Sequence, residues 1–434
     1  MTTIPYIMWY HAHLDSGTMA TAIQEAIMNP KEQYARLLIK IGINLQKNQT
    51  LIISTPIECA DFARLVQVEA YKAGAREVVM RWLDEKAARI TYDMAPDEIF
   101  DEFPEWSKTF YNDYAAKGAA FMSIAASDPE LMKDVDPKRI SRSNKARNTA
   151  LEHFRGLQMS NKNVWCVGSV PTSAWARKVF PAMPEEKAVD ALWAAIFKTV
   201  RADQTDPVQA WQDHQAALNL RLDFLKKHNF TSLHYKNSLG TDLTIALPKG
   251  HHWFGGGDEC LQGYVFVANM PTEEVFTMPH KNGANGRIVS SMPLNHNGNL
   301  IKDFWFEFKD GLVVDYGAKA GLETLKEILE TDDGAKRLGE VALVPYESPI
   351  SKMGILFYNT LFDENASCHF ALGKAYPTCI EGGTDMSKEA LAAAGVNDSL
   401  THVDFMVGTA DLEIKGTKAD GSEVTVFRNG NFAL

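Results

Sequence analysis

Apolar residues recur at helical spacing over residues 30–43 (PKEQYARLLIKIGI) and 59–73 (CADFARLVQVEAYKA), with Gly74 placed to stop the second run. Short apolar runs of strand length occupy 50–54 (TLIIS), 76–82 (REVVMRW), 119–124 and 163–168 (NVWCVG). Helical patterns over 97–116, 137–156 and 184–200 separate them. Strands alternating with helices of this length predict parallel βαβ units with helices on both faces. One more helix is expected over 206–228, with Pro207 in its first turn. Beyond it the period changes to two. Residues 231–235 and 241–247 flank Asn237-Ser238-Leu239-Gly240, and 412–415 and 423–427 flank Ala419-Asp420-Gly421, so each pair reads as a hairpin. A helix over 317–331 interrupts this half.

The expected fold class is α/β plus α+β. An N-terminal parallel-sheet α/β domain spans 30–205, and a C-terminal, mainly antiparallel β domain with helices spans 206–434. Residues 1–29 fit no element and read as an extension or the remnant of an expression vector.

Composition narrows the function classes. Among 434 residues, 45% are hydrophobic and 23% charged, which suits buried cores and excludes a disordered or fibrous chain. Acidic residues outnumber basic ones by 55 to 44, a balance that argues against a general nucleic-acid binder. No run approaches the roughly 18 apolar residues of a membrane span. The five cysteines are scattered and form no CxxC pair, so neither a disulfide framework nor a thiolate zinc site is indicated. These features predict a cytoplasmic protein with free thiols.

HExxH, GxSxG and P-loop signatures do not occur. Gly255-Gly256-Gly257 lacks the spacing of a dinucleotide fingerprint and reads as a flexible turn. The stronger signal is Thr401-His402-Val403-Asp404-Phe405. In a strand, His402 and Asp404 project to one face while Val403 and Phe405 face the core. Glu340 opens the apolar run EVALVP, His369 sits in NASCHFALG, and Glu273 and Glu274 lie between apolar residues and two prolines in NMPTEEVFTMP. Buried carboxylates need partners, and a metal is one. Glu274, Glu340, His369, His402 and Asp404 are too many for one catalytic zinc and suit two metals with a bridging carboxylate and a bridging water. Such a pair fits amide hydrolysis. Cys368, beside His369, reads as a packing residue. His11-Ala12-His13 and His251-His252 read as loop or extension histidines.

Four segments closely resemble the signature segments of the thermophilic aminopeptidase family of metallopeptidases, the aminopeptidase T and aminopeptidase S group: NMPTEEVFTMP, LGEVALVP, LFYNTLFDENASCHFALGKAYP and GVNDSLTHVDFMVG. Weaker similarity runs through GINLQKNQTLIIS, AYKAGAREVV and PTSAWARKVFP, so the likeness covers about residue 30 to the end. The resemblance implies a cytoplasmic, homodimeric exopeptidase that removes single residues from peptides with a free N-terminus. It implies two divalent ions per chain, zinc or cobalt, with manganese or magnesium also compatible. The family's metal ligands fall on Glu274, Glu340, His369, His402 and Asp404, and its active-site tyrosine on Tyr376.

In that reaction Tyr376 is expected to donate to the developing oxyanion. Glu273 is the candidate general base. If residues 273–275 are extended, Glu273 and Glu274 face opposite ways; if they form a turn, both reach the site. A ligand carboxylate that shifts off its metal is the competing base. The alternative to the enzyme is a metal-containing peptide-binding or scaffold protein without turnover. A mononuclear iron oxygenase is disfavoured, because five candidate ligands exceed its three and no histidine follows His402. A nucleotide-binding role for the first domain lacks a phosphate loop.

Overall fold

The structure is a computed structural model that describes residues 29–434 other than Asn297. His11, His13 and the remainder of 1–28 lie outside the described residues. Asn29, grouped with the extension from sequence, instead caps the first helix, Pro30–Leu37: its side chain accepts from the Lys31 and Glu32 backbone N–H groups, and Glu32 reaches back to the Asn29 N–H.

The first sheet is parallel. Its strands are β1 (Thr50–Pro56), β2 (Glu77–Leu83), β3 (Ala120–Ile124) and β4 (Trp165–Gly168), in the order β2-β1-β3-β4. Helices Ala60–Lys72, Glu105–Ala116 and Glu185–Thr199 match expected ones. Two expectations change, and one helix was not anticipated. The pattern over 97–116 splits into a 3-10 turn, Asp97–Asp101, and the helix starting after Pro104, which cannot donate within a helix. The pattern over 137–156 breaks at Leu151, whose φ of −100° and ψ of 13° leave the helical region, giving Pro137–Ala150 and Glu152–Met159. Helix Glu85–Met94, capped by Asp84, has no buried residue and so left no apolar stripe to read.

The second half begins with helix Pro207–His228, capped by Asp206 and ended by Asn229 in the left-handed region. Its strands follow as β5 (Ser232–Lys236), β6 (Asp242–Ala246), β7 (Phe254–Gly255), β8 (Asp258–Glu259), β9 (Val265–Phe266), β10 (Val275–Thr277) and β11 (Ala284–Val289). Then come β12 (Leu294–His296), β13 (Asn299–Ile301), β14 (Trp305–Lys309), β15 (Leu312–Gly317), β16 (Leu338–Leu343) and β17 (His369–Gly373). The last are β18 (His402–Met406), β19 (Glu413–Thr417), β20 (Glu423–Arg428) and β21 (Asn431–Phe432). Both expected hairpins form, β5 with β6 and β19 with β20, inside an eight-stranded sheet ordered β15-β14-β11-β6-β5-β19-β20-β21. A five-stranded antiparallel sheet, β18-β17-β16-β10-β7, packs one face on it. The helix expected over 317–331 is shorter, Leu322–Leu329. Gly317 still pairs with Trp305 in the sheet, and Gly321 turns the chain at φ +77°.

The two halves are not packed separately. The core around β1–β4 takes in Trp211, Phe266, Met270, Phe357 and Phe362 from beyond residue 205. On helix Pro207–His228, Trp211 joins that core, while Leu218, Leu222 and Leu225 join the core between the two antiparallel sheets.

Candidate metal centre

Antiparallel register and the period of two bring the ligand candidates together. On β16, β17 and β18, Glu340 lies opposite Ala371, which lies opposite Asp404. Gly373 faces His402 and Ala342 faces His369. Residues opposed across an antiparallel ladder share a face, as do residues two apart on one strand. Glu340, His369, His402 and Asp404 therefore stand on one face, separated by Ala342, Ala371 and Gly373, which leave room. The alternate residues Val341, Phe370, Leu372, Val403 and Phe405 are buried in the inter-sheet core. Glu274 precedes β10, and Val275 after it packs in that same core.

Glu340 sits between the two imidazoles. Its Oε1 is 3.6 Å from His369 Nε2, and its Oε2 is 3.4 Å from His402 Nε2. Glu274 Oε2 lies 3.1 Å from His369 Nε2, and Asp404 Oδ1 lies 3.3 Å from His402 Nε2. Two trios with metal-ligand spacing result, Glu274–Glu340–His369 and Glu340–His402–Asp404, and Glu340 belongs to both. Each imidazole is oriented from behind: His369 Nδ1 is 3.0 Å from the Ser367 carbonyl, and His402 Nδ1 is 2.7 Å from the Lys374 carbonyl. A carbonyl only accepts, so Nδ1 carries hydrogen and Nε2 faces the carboxylates, the outer-shell arrangement of metal-binding histidine.

The charge balance calls for cations. Burial raises the Glu274 pKa, against the opposing pull of the His369 imidazole beside its Oε2. Burial alone would also raise Glu340, but hydrogen bonds from His369 and His402 outweigh it and hold Glu340 at about 2. The carboxylates in turn push both imidazoles well above the usual histidine range, against the opposing pull of burial. Buried carboxylate oxygens and imidazole nitrogens converging in two trios fit divalent ions with N/O preference.

Tyr376 follows β17 at the rim, its ring 5.3 Å from that of His402. Burial, then the charges of Glu340 and Asp404, raises its pKa well above the tyrosine range, so the phenol keeps its proton.

Glu273 is not brought to this cluster. Its carboxylate is 2.8 Å from Arg201 Nη2 and 3.8 Å from His214 Nε2. Its N–H donates to Asn365 Oδ1 at 2.7 Å, and its carbonyl accepts from Arg221 at 3.4 Å. The buried Arg201–Glu273 pair clamps the residue beside Glu274. The segment just before is tied to the first sheet, since Val167 of β4 donates to Ala268 at 2.7 Å and accepts from Met270 at 2.9 Å.

Sequence reasoning missed Glu364. It is buried in the cleft wall beside the ligands, where burial and then the charges of Asp404 and Glu274 push its pKa well above the usual range. The sign available was weak, an acid between Asp363 and Asn365 shortly before His369. His251 is half-buried with Nδ1 on the Pro248 carbonyl, and Cys368 is buried against Val344. The cleft above the ligands has a volume of about 140 Å³, and Gln158, Met159 and Trp165 from the N-terminal half form part of its wall.

Comparison with known proteins identifies the family. The family model described as thermophilic metalloprotease (M29) matches residues 29–432. The chain is 50% identical over 403 residues to aminopeptidase 2 of Geobacillus stearothermophilus, covering 93% of this chain and 97% of that one. Its fold matches the solved structure of wild-type AmpT from Thermus thermophilus with a TM-score of 0.88, at 38% identity over 93% of this chain and 99% of that one. A 2,5-dihydroxypyridine dioxygenase from Pseudomonas putida KT2440 shares the fold at a TM-score of 0.50 and 11% identity, over 93% and 96% of the two chains. That likeness concerns architecture alone. The matched length and identity carry the conclusion that this chain belongs to the M29 family of thermophilic metalloproteases.

Proposed function

We propose that this metallopeptidase is an aminopeptidase that releases N-terminal residues from peptides, with two divalent ions held by Glu274, Glu340, His369, His402 and Asp404. The observation that carries the reading is Glu340, whose two oxygens face different histidines and which belongs to both trios. Glu274 and His369 would hold one ion, His402 and Asp404 the other, and Glu340 both. When bound, a metal pair supplies an activated water and a polarised carbonyl. Zinc or cobalt suits these donors. A cytoplasmic homodimer is part of the same proposal, on the resemblance.

The protein's own groups do the rest. The Tyr376 O–H, held protonated, donates to the oxygen of the scissile carbonyl as negative charge develops there. In its ionised form Glu364 takes the proton of the attacking water and passes it to the leaving amine, its raised pKa favouring the first transfer. It is in the cleft wall and has no cationic partner among the described residues, whereas the Glu273 carboxylate is committed to Arg201. Asn365 joins the two glutamates: its Oδ1 accepts from the Glu273 N–H, and its Nδ2 is 3.5 Å from Glu364 Oε1.

The test is hydrolysis of free-amine and N-acetylated dipeptides before and after chelation. Chelator-sensitive cleavage restricted to the free amine is expected. Equal cleavage of both peptides would overturn the exopeptidase reading, and no cleavage by the metal-loaded protein would favour a binding protein without turnover.

A further inference from the structure

The glycine triplet is not a loose turn. Gly255 pairs with Val275 at the edge of the metal-binding sheet, and its φ of +158° and that of Gly257, +146°, are backbone states that favour glycine. A Cβ at Gly255 would stand 2.6 Å from the Glu274 carbonyl oxygen, and one at Gly257 2.7 Å from Val265 Cγ1. Gln215 fixes the middle of the triplet by donating to the Gly256 carbonyl at 2.7 Å. The track is pinned against the backbone of a metal ligand, and it delivers Asp258 to the same cleft that Glu274, Glu340 and Tyr376 line.

Asp258 has no cationic partner among the described residues; its neighbour in the wall is the Asn161 amide. Burial, then the negative charge of Glu274, raises its pKa to about 6. A carboxylate so placed gains most from a cation that arrives with a ligand. Every aminopeptidase substrate carries one, the α-ammonium group, and some carry a second on the first side chain.

We propose that Asp258 is the substrate-cation anchor of the cleft, set by the Gly255–Gly257 track to hold an ammonium group beside the metal ligands. This inference rests on the aminopeptidase reading and names the group that makes the cleft choose free N-termini. Asp258 is a specificity-determining residue and takes no part in proton transfer.

The test compares the metal-loaded protein with Asp258→Asn, and with Asp258→Ser should the first variant fold poorly. Dipeptides beginning with leucine and with lysine are the substrates. An amino alcohol and its desamino counterpart serve as binding probes in calorimetry, with metal content measured alongside. Loss of one charge-assisted contact should raise KM about tenfold or more, with a smaller effect on kcat, and should erase the preference for the amine probe. A rise on both substrates assigns the anchor to the α-ammonium group; a rise confined to the lysine substrate would overturn the proposal that Asp258 selects free N-termini. Wild-type KM on both substrates, with the amine preference intact, would overturn the proposal. Failure of the wild-type protein to cleave any free-amine peptide would sink the aminopeptidase reading instead, and the probe comparison would still report on Asp258.

Discussion

Two adjacent glutamates, Glu273 and Glu274, meet opposite fates because the chain between Pro271 and β10 is held from both sides. Arg201 and Asn365 take Glu273, and the candidate metal trio takes Glu274. The consequences separate in mutants. Glu364→Gln should keep both metals and lower kcat by about 10²–10⁴, the usual range for a lost general base. Glu273→Gln should instead leave Arg201 short of a buried counter-charge and lower stability by about 3–5 kcal/mol, read as a fall in melting temperature. If Glu273→Gln lost rate without losing stability, the two assignments would be exchanged. Tyr376→Phe should cost about 10²–10³ in kcat with metal content intact, the scale of one oxyanion donor. Unchanged kcat would return Tyr376 to packing.

Elements explain why the candidate ligands converge. His402 and Asp404 were legible as a same-face pair because a strand has a fixed period of two, and the core residues Val403 and Phe405 mark its other face. Glu340 and His369 could be suspected singly, but their pairing depends on a register between β16 and β17 that includes a bulge between Leu338 and Glu340. No local pattern encodes that register. Glu364 lies on no strand, and its approach to the site depends on the chain packing between β16 and β17. Helix Glu85–Met94 was illegible for a simpler reason, since it buries nothing. The small residues between the ligands were equally silent, yet Ala371 lies in register between Glu340 and Asp404. Ala371→Leu should fill the space the ions need and abolish metal uptake while the strands stay paired. Normal metal content in that variant, by elemental analysis, would contradict the face assignment.

At the scale of the whole molecule, the sheet that carries the candidate ligands is steadied by the other half. β4 holds the segment before Glu274, and Arg201 and His214 hold Glu273. His214 links them: its Nδ1 lies 3.0 Å from Arg201, which only donates, so Nε2 carries the hydrogen and donates to the Thr272 carbonyl at 2.8 Å. Burial, with help from Arg201, lowers the His214 pKa against the opposing charge of Glu273. A histidine with a depressed folded-state pKa gives its full stability above the unfolded value of about 6.5 and loses it as pH falls below that, by at most about 1.4 kcal/mol per unit. The stability advantage of wild type over His214→Gln should therefore shrink as pH drops through this range, and a constant advantage in melting temperature would contradict the neutral assignment.

Metal content per chain at saturation tests the central claim most directly, measured for the wild-type protein, His369→Ala, His402→Ala and Glu340→Ala. A shared Glu340 predicts two ions in wild type, one in each histidine variant and weakened retention of both in Glu340→Ala. A single ion in wild type, lost equally in all three variants, would contradict a two-metal site.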